Sequence, residues 1–459
     1  MNRNLIINNI SSDKICHIEE DYYDNVLIFF RNKYQKGEIK SSVLEQAQYY
    51  IDNTPFLYYK NIIVIPSAVN NSSAVKDSLL YVIWFSKDKN SYFNKDEIRE
   101  PHIWKDVEWG KRSKNYSQKG KDPSNIWIPT LDDGKGKITH HIKLDIKQIL
   151  GRVYTAFNQS EETEWYLDNH LKDFVEIEAE FLTEINKFEN DKINCNTNDQ
   201  TIISNTEQMK LGTYEIKFDS SENIKLKGEV VDSIVTSPPY WDLKNYFKDG
   251  QIGHESYESY LLRMYNVWTN LYKILSETGV LFVNINIRTR LGKVYNMPYE
   301  YIKQMRALGF KFIDIIIWHK SSSIPVNANN LSDKYEFVLV FAKSSNYKLN
   351  YCQNFNDYKN DYLNNTNIWN INRKAGSIGK KFIHPAIYPT ELVNRLVLIS
   401  TKPGDMVFDP FLGSGTTLIS AVNLSRNFIG YEYNEDFEEL INYRINNEVI
   451  LGENSKIKI

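Results

Sequence analysis

The chain of 459 residues carries 55 Lys and Arg against 58 Asp and Glu, and a formal net charge of −3 excludes a whole-molecule basic field that could hold a polyanion. Its length exceeds that of one ordinary core, so two domains are expected, and 42% hydrophobic with 25% charged residues is the make-up of a folded protein outside the membrane. Three scattered cysteines, Cys16, Cys195 and Cys352, suggest neither a disulfide framework nor a metal site, and the leading MNRNLIINNISSDK lacks the apolar core and cleavage site of a signal peptide, so a cytoplasmic location is expected.

In chain order, the first half is a mixed α/β region whose elements are hard to assign one by one. The segment GKRSKNYSQKGK, 110–121, sets Lys111, Arg112 and Lys114 around Tyr116 with no intervening acid. It reads either as a loop that contacts phosphates or as a solvated connector. Internal similarity is more informative. LLYVIWFSKDKNSYFN from Leu79 resembles YEFVLVFAKSSNYKLN from Tyr335, NIWIP from Asn125 resembles NIWNI from Asn367, and ITHHIKLDIKQILGRV from Ile138 resembles FIHPAIYPTELVNRLV from Phe382. The three matches keep their order, which points to a degenerate partial duplication; chance likeness of strand-like runs is the alternative.

Between 180 and 210 the apolar period fades into Asn, Asp, Thr and Ser, which places a linker there. The expected units are therefore 1–205 and 206–459. Beyond the linker, strand and helix signals alternate: YEIKF from Tyr214, DSIVTS from Asp232, a helix with apolar positions from Tyr257 to Leu275 that runs up to Gly279, then the strand VLFVNINI. Pro298 opens a helix that closes at Gly309, followed by strands KFIDIIIW and YEFVLVFAK. A helix begun by Pro389, strand MVFD, loop PFLGSG, a helix from Thr416, strand NFIGYE and a helix capped by Asn434 complete the pattern. Such alternation predicts an α/β fold of the doubly wound, Rossmann-like kind, a mostly parallel sheet with helices on both faces.

Two stretches carry chemistry. In FDPFLGSGTT, 408–417, a strand delivers Asp409 to its carboxyl edge, and Gly413 and Gly415 let the backbone turn under a ligand into a helix N-terminus. The third glycine of a dinucleotide fingerprint and the Gly-Lys-Ser/Thr of a phosphate loop are both missing, which disfavours a nicotinamide enzyme or an ATPase. Glu432, at the end of the next strand, is placed to accept hydrogen bonds from ribose hydroxyls. In TSPPYW, 236–241, two prolines remove two N–H donors and fix φ, which aims the Pro238 carbonyl outward beside the Ser237 hydroxyl.

TSPPYW resembles the catalytic motif of DNA methyltransferases acting on exocyclic amines, and DPFLGSGTT resembles the S-adenosylmethionine loop of that family. The catalytic motif precedes the cofactor loop, which is the order of the beta class. IHPAIYPTELVNRLV looks like the His-Pro segment at the methionine end of the cofactor, FDSS around Asp219 like the strand end that meets adenine, and VLVFAKS like the strand near the target base.

The resemblance implies S-adenosyl-L-methionine as cofactor, held by Asp219, His384, Pro385, Asp409, Pro410, Phe411, Gly413, Ser414, Gly415, Thr416 and Glu432, and no metal. It implies Ser237, Pro238, Pro239 and Tyr240 as the catalytic turn and double-stranded DNA as substrate, with Tyr240 stacking on a flipped base and Trp241 walling its pocket. Ser237 as the first motif residue usually accompanies cytosine-N4 methylation, with adenine-N6 as the alternative. Carbon-5 methylation would need an attacking thiolate, for which no cysteine lies in these motifs. Tyr388 stands where many relatives have Lys. Lys111, Arg112, Lys114, Ser323 and Asn327 are the DNA-contact candidates, and restriction-modification, with a cognate endonuclease as partner, is the implied setting. A non-catalytic DNA-binding module that kept the fold is the rival reading.

Overall fold

A computed structural model describes residues 2–11, 15–19, 22–66, 79–99, 119–120, 122–127, 131–132, 138–139, 145–189, 211–226, 230–243, 248–320, 330–350, 367–373, 377–378, 382–383 and 387–449. The expected boundary near 205 lies outside these residues, as do Lys111, Arg112, Lys114, Ser323, Asn327, His384 and Pro385.

The N-terminal half runs β1 (Arg3–Asn9), β2 (Asn25–Phe30), β3 (Lys33–Gln35), β4 (Glu38–Ser41), α1 (Val43–Asn53), β5 (Tyr58–Pro66), β6 (Leu79–Ser86), β7 (Leu131–Asp132), β8 (Ile138–Thr139), α2 (Ile146–Phe157), β9 (Glu164–Leu167), β10 (His170–Leu171) and α3 (Phe174–Glu189). Six of the strands form one sheet in the order β10-β9-β1-β2-β6-β5. β2 and β6 are buried along their whole length, which is why NVLIFF and LLYVIWFS read as unbroken apolar runs rather than alternating ones. Helices α1 and α2 each start with a capping box, Ser42 with Glu45 and Asp145 with Gln148.

The C-terminal half runs β11 (Tyr214–Phe218), β12 (Val231–Thr236), α4 (Tyr257–Ile274), β13 (Leu275–Ile285), β14 (Arg288–Arg290), β15 (Lys293–Tyr295), α5 (Met297–Ala307), β16 (Lys311–His319), β17 (Tyr335–Ala342), β18 (Ile368–Asn370), β19 (Ser377–Ile378), β20 (Phe382–Ile383), α6 (Thr390–Ser400), β21 (Met406–Asp409), α7 (Thr416–Asn423), β22 (Asn427–Glu432) and α8 (Glu438–Glu448). Its eight-stranded sheet has the order β11-β22-β21-β12-β13-β17-β16-β18. All neighbours are parallel except β17, which runs against both β13 and β16. This is the expected doubly wound sheet. One boundary differs from expectation: α4 stops at Ile274, because Leu275 turns extended and pairs with Val231.

The sheet is covered on both faces. α6, α7 and α8 bury Leu392, Leu396, Leu418 and Leu440 against one, and α4 and α5 bury Met264, Trp268 and Tyr301 against the other. The second of these cores continues into the N-terminal half through Val43, Leu44, Ala47 and Tyr81. Polar ties cross the same boundary: Tyr335 donates its hydroxyl to the Ile62 carbonyl at 2.7 Å, Asn125 Nδ2 to Asp333 at 3.1 Å, and Lys311 Nζ to Glu38 at 2.6 Å.

The neighbours β12 and β21 leave the sheet in opposite directions, β12 towards β13 and β21 towards β22. Connections that part in this way open a crevice at the carboxyl ends of the strands, where open α/β sheets bind ligands. Both chemistry-bearing stretches begin there.

Candidate active site

The turn after β12 is held from three sides. The Pro239 carbonyl accepts from Tyr260 at 2.7 Å, the Tyr240 carbonyl accepts from Arg288 at 3.4 Å, and the Tyr240 hydroxyl donates to Glu336 at 2.7 Å. Among the described residues no donor engages the Pro238 carbonyl, and Ser237 Oγ meets only Asn284 Nδ2, at 3.5 Å. The turn therefore leaves two acceptors unengaged, on half-buried Ser237 and buried Pro238, while the groups around them are tied down. Ser237, Pro238, Pro239 and Tyr240 all line one cavity of about 460 Å³, within the range usual for small-ligand sites.

The same cavity is lined by Phe411, Leu412, Gly413, Ser414 and Glu432 from the glycine loop and the end of β22. Gly413 and Gly415 sit at φ 53° and 81°, which glycine adopts without strain. Asp409, Pro410, Gly415 and Thr416 are set behind the lining. Asp409 is fully buried and accepts from Thr417 Oγ1 at 2.6 Å, the Phe411 amide at 3.0 Å and the Tyr388 hydroxyl at 3.3 Å. It shapes the loop rather than facing a ligand. Burial raises its carboxyl above the usual range, and the hydrogen bonds oppose that.

Glu432 is 9% exposed and reaches the cavity, but its carboxylate also accepts from the Gly413 amide at 2.7 Å and the Asn434 amide at 2.8 Å. Burial lifts it to about 7, against those backbone bonds and with the help of the Asp409 charge. Tyr388 lines the cavity and bonds Asp409 and Thr417, so at this position a phenol is held to a carboxylate. Asp219 stands outside the lining, and it is the adjacent Ser220 and Ser221 that reach the cavity.

Trp241 departs from expectation. It is 6% exposed with φ 47°, donates Nε1 to the Glu255 carbonyl at 2.9 Å and packs on Tyr257 and Tyr295. The left-handed backbone at this residue turns the indole away from the cavity into the core, where it anchors the turn instead of walling a base pocket.

Sequence inspection missed the floor of the cavity. Glu336 from β17 takes hydrogen bonds from Tyr240, from Asn284 Nδ2 at 2.7 Å and from Lys320 Nζ at 3.0 Å. Burial alone would raise this carboxyl, but Lys320 and the three hydrogen bonds outweigh it and hold Glu336 below the usual carboxylate range. Its signal in the sequence is one acid inside the apolar run YEFVLVFA, and β17 is otherwise buried throughout.

Residues 231–443 match the profile of a family described as DNA methylase. The C-terminal half belongs to that family. Curated relatives include the type II methyltransferases M.Cfr9I of Citrobacter freundii, 28% identical over 259 residues, which are 49% of this chain and 84% of the relative, and M.SmaI of Serratia marcescens, 27% identical over 256 residues, 48% and 86%. Among solved structures, the methylase half is similar to TTHA0409 of Thermus thermophilus, solved in complex with S-adenosyl-L-methionine, with 27% identity and a TM-score of 0.41 over 52% of this chain and 96% of that one. It is also similar to the PvuII DNA methyltransferase, cytosine-N4-specific, with 20% identity and a TM-score of 0.42 over 52% and 94%.

Proposed function

We infer that this DNA methylase transfers a methyl group from S-adenosyl-L-methionine to the N4 amine of a cytosine flipped out of double-stranded DNA. The observation that carries the reading is one cavity shared by the Ser-Pro-Pro-Tyr turn and the glycine loop. An exocyclic amine conjugated to its ring is a poor nucleophile. Accepting its two hydrogens at Ser237 Oγ and the Pro238 carbonyl draws the nitrogen toward tetrahedral geometry and frees its lone pair. The cofactor supplies an electrophilic methyl on a sulfonium, and the glycine loop, Phe411 and Glu432 are the residues that would hold it. Alignment of this kind supplies on the order of 7–11 kcal/mol of barrier lowering. The Tyr240 ring offers a stacking face for the base, worth about 1–3 kcal/mol.

Ser237 at the head of the turn supports cytosine over adenine, and the type II relatives support a restriction-modification setting with a cognate endonuclease. Single-molecule sequencing of DNA from cells expressing the chain tests base and site together. N4-methylcytosine at one short sequence is expected, and none with Ser237→Ala. Adenine marks would move the target to N6, and unmarked DNA from a protein that binds the cofactor would leave an inert binding module.

Glu432 adds a pH dependence. Its carboxyl is raised to about 7, so the folded chain holds that proton well above the ordinary carboxylate range. Its contribution to stability is present at acid pH and is lost as pH rises through about 7. Cofactor affinity runs the other way, since only the ionised group accepts from two ribose hydroxyls. Calorimetric titration is expected to show S-adenosylmethionine binding several-fold tighter at about pH 8 than at about pH 6, on either side of that titration, and a flat profile for Glu432→Gln. An equally steep profile in that variant would assign the titration to another group.

A further inference from the structure

Five strands of the N-terminal sheet, β9-β1-β2-β6-β5, repeat the order and directions of β21-β12-β13-β17-β16 in the methylase sheet. Across the first, paired residues run Asn4, Asn25, Ser86, Tyr58; across the second, Ser233, Val280, Ala342, Lys311. Strand directions agree at every step, and β9 pairs in parallel with β1 as β21 does with β12. Both sheets skip one residue at the same place, between Tyr59 and Asn61 and between Phe312 and Asp314. Each then receives a parallel partner, Ile126 on Val64 and Ile368 on Ile317. The hairpins that precede α1 and α5 both turn on a left-handed pair, Lys36-Gly37 at φ 51° and 77° and Leu291-Gly292 at 49° and 81°.

Side chains repeat as well. Asn125 donates to Asn61 at 3.0 Å as Asn367 donates to Asp314 at 2.7 Å, and Arg152 covers the Trp127 ring at 5.2 Å as Arg395 covers Trp369 at 5.9 Å. Unrelated sheets have no reason to share bulge, turn, amide bond and cation–ring pair at matching register.

The chemistry is what differs. In that register Asn284, Glu336 and Asp409 become Phe29, Leu80 and Leu167, all buried, and the Ser-Pro-Pro-Tyr turn becomes Asn8 to Ser11. The Phe29 ring packs on Phe181 of α3 at 4.9 Å. After Leu167 the chain reverses through Asp168 and Asn169 into β10 instead of forming a glycine cradle.

The two copies meet through corresponding helices. Arg306 of α5 pairs with Glu45 of α1, and the Asp52 charge of α1 acts on Tyr299 and Glu300 of α5. Counted from the two helix starts, Glu45 matches Tyr299 and Asp52 matches Arg306, so the residues that would mirror the Arg306–Glu45 pair are Asp52 and Tyr299, and Tyr299 lies within reach of the Asp52 charge, as a two-fold relation requires.

We propose that the N-terminal half is a second copy of the methylase fold with its crevice closed by apolar side chains, and that it takes, within the chain, the place of a partner subunit. The proposal rests on the functional reading above only for the choice of probe. Full-length protein is titrated with S-adenosylmethionine, its mass in solution is measured, and unfolding midpoints are compared for Glu45→Arg, Arg306→Glu and the two combined. One cofactor per chain, a one-chain particle, a midpoint several degrees lower in each single variant and partial recovery in the combined one are expected, the remainder being the α1 cap and the Ile39 carbonyl bond that the swap does not restore. Two cofactors per chain, a stable dimer, or single variants that melt with the parent would each overturn it. No binding at all would remove the cofactor assignment, and the mass and charge-swap results would then decide.

Discussion

Glu336→Ala is expected to lose about 3–5 kcal/mol of stability and at least about 100-fold in the rate of methyl transfer. Lys320 and Glu336 are an ion pair with side chains 4% and 19% exposed, so removing the acid strands an ammonium where water cannot compensate it. The same carboxylate holds the Tyr240 hydroxyl and Asn284, the two groups beside Ser237. Without it the turn loses a wall as well as a charge. Two further variants separate the effects. Glu336→Gln keeps the shape and an acceptor for Tyr240 but leaves Lys320 unpaired, so stability falls more than positioning does. Tyr240→Phe keeps the stacking ring and gives up two hydrogen bonds, one to Glu336 and one from Asn284, so the rate falls roughly tenfold while stability falls by about 1–3 kcal/mol. Chemical denaturation and single-turnover methylation of a duplex check all three. A Glu336→Ala protein that is destabilised yet transfers methyl at the parent rate would show the cluster to be scaffolding alone.

The second large effect belongs to Asp409→Ala. Three donors converge on this buried carboxylate: the Phe411 amide, the Thr417 hydroxyl and the Tyr388 hydroxyl. Each buried donor left without an acceptor costs about 1–3 kcal/mol, offset in part because the desolvated carboxyl is itself raised. A net loss of about 2–4 kcal/mol follows. Phe411 begins the cavity-lining part of the glycine loop, so S-adenosylmethionine affinity is expected to fall at least about 100-fold. Asp409→Asn retains an acceptor for the amide and one hydroxyl and is expected to recover most of both losses. Calorimetric titration beside thermal unfolding measures the two quantities separately. Cofactor affinity unchanged in a correctly folded Asp409→Ala protein would show that the loop keeps its shape without this anchor.

Glu336 shows why parts of the site stay hidden in a linear text. Its one mark is an acid within YEFVLVFA, a run that is otherwise apolar. Nothing nearby names its partners, because Tyr240, Asn284 and Lys320 come from other segments and meet only when β12, β13 and β17 lie side by side. The Asp409 role is hidden differently: a strand-end acid can point at a ligand or back at its own loop, and only the Thr417 and Phe411 bonds decide between them. Trp241 sits in an apolar, aromatic turn that suggested a pocket wall, and a positive φ sent it into the core.

What the sequence determined by itself is local. Apolar runs of strand length, helical periods, the donor-free Pro-Pro bend and glycines able to take positive φ are properties of neighbours along the chain, and they were enough for the α/β class, the order of the main elements in the C-terminal half and the two stretches that meet at the cavity. The partial repeat was legible as three short likenesses, but not its extent. Tertiary structure alone decided that β17 runs against its neighbours, that Glu336, held by Lys320, lines the cavity, that Asp409 holds the loop, and that five strands of the N-terminal half repeat the order of five in the methylase sheet. Those outcomes depend on which distant residues share a face, and burial energy settles that only once the sheets have formed and packed.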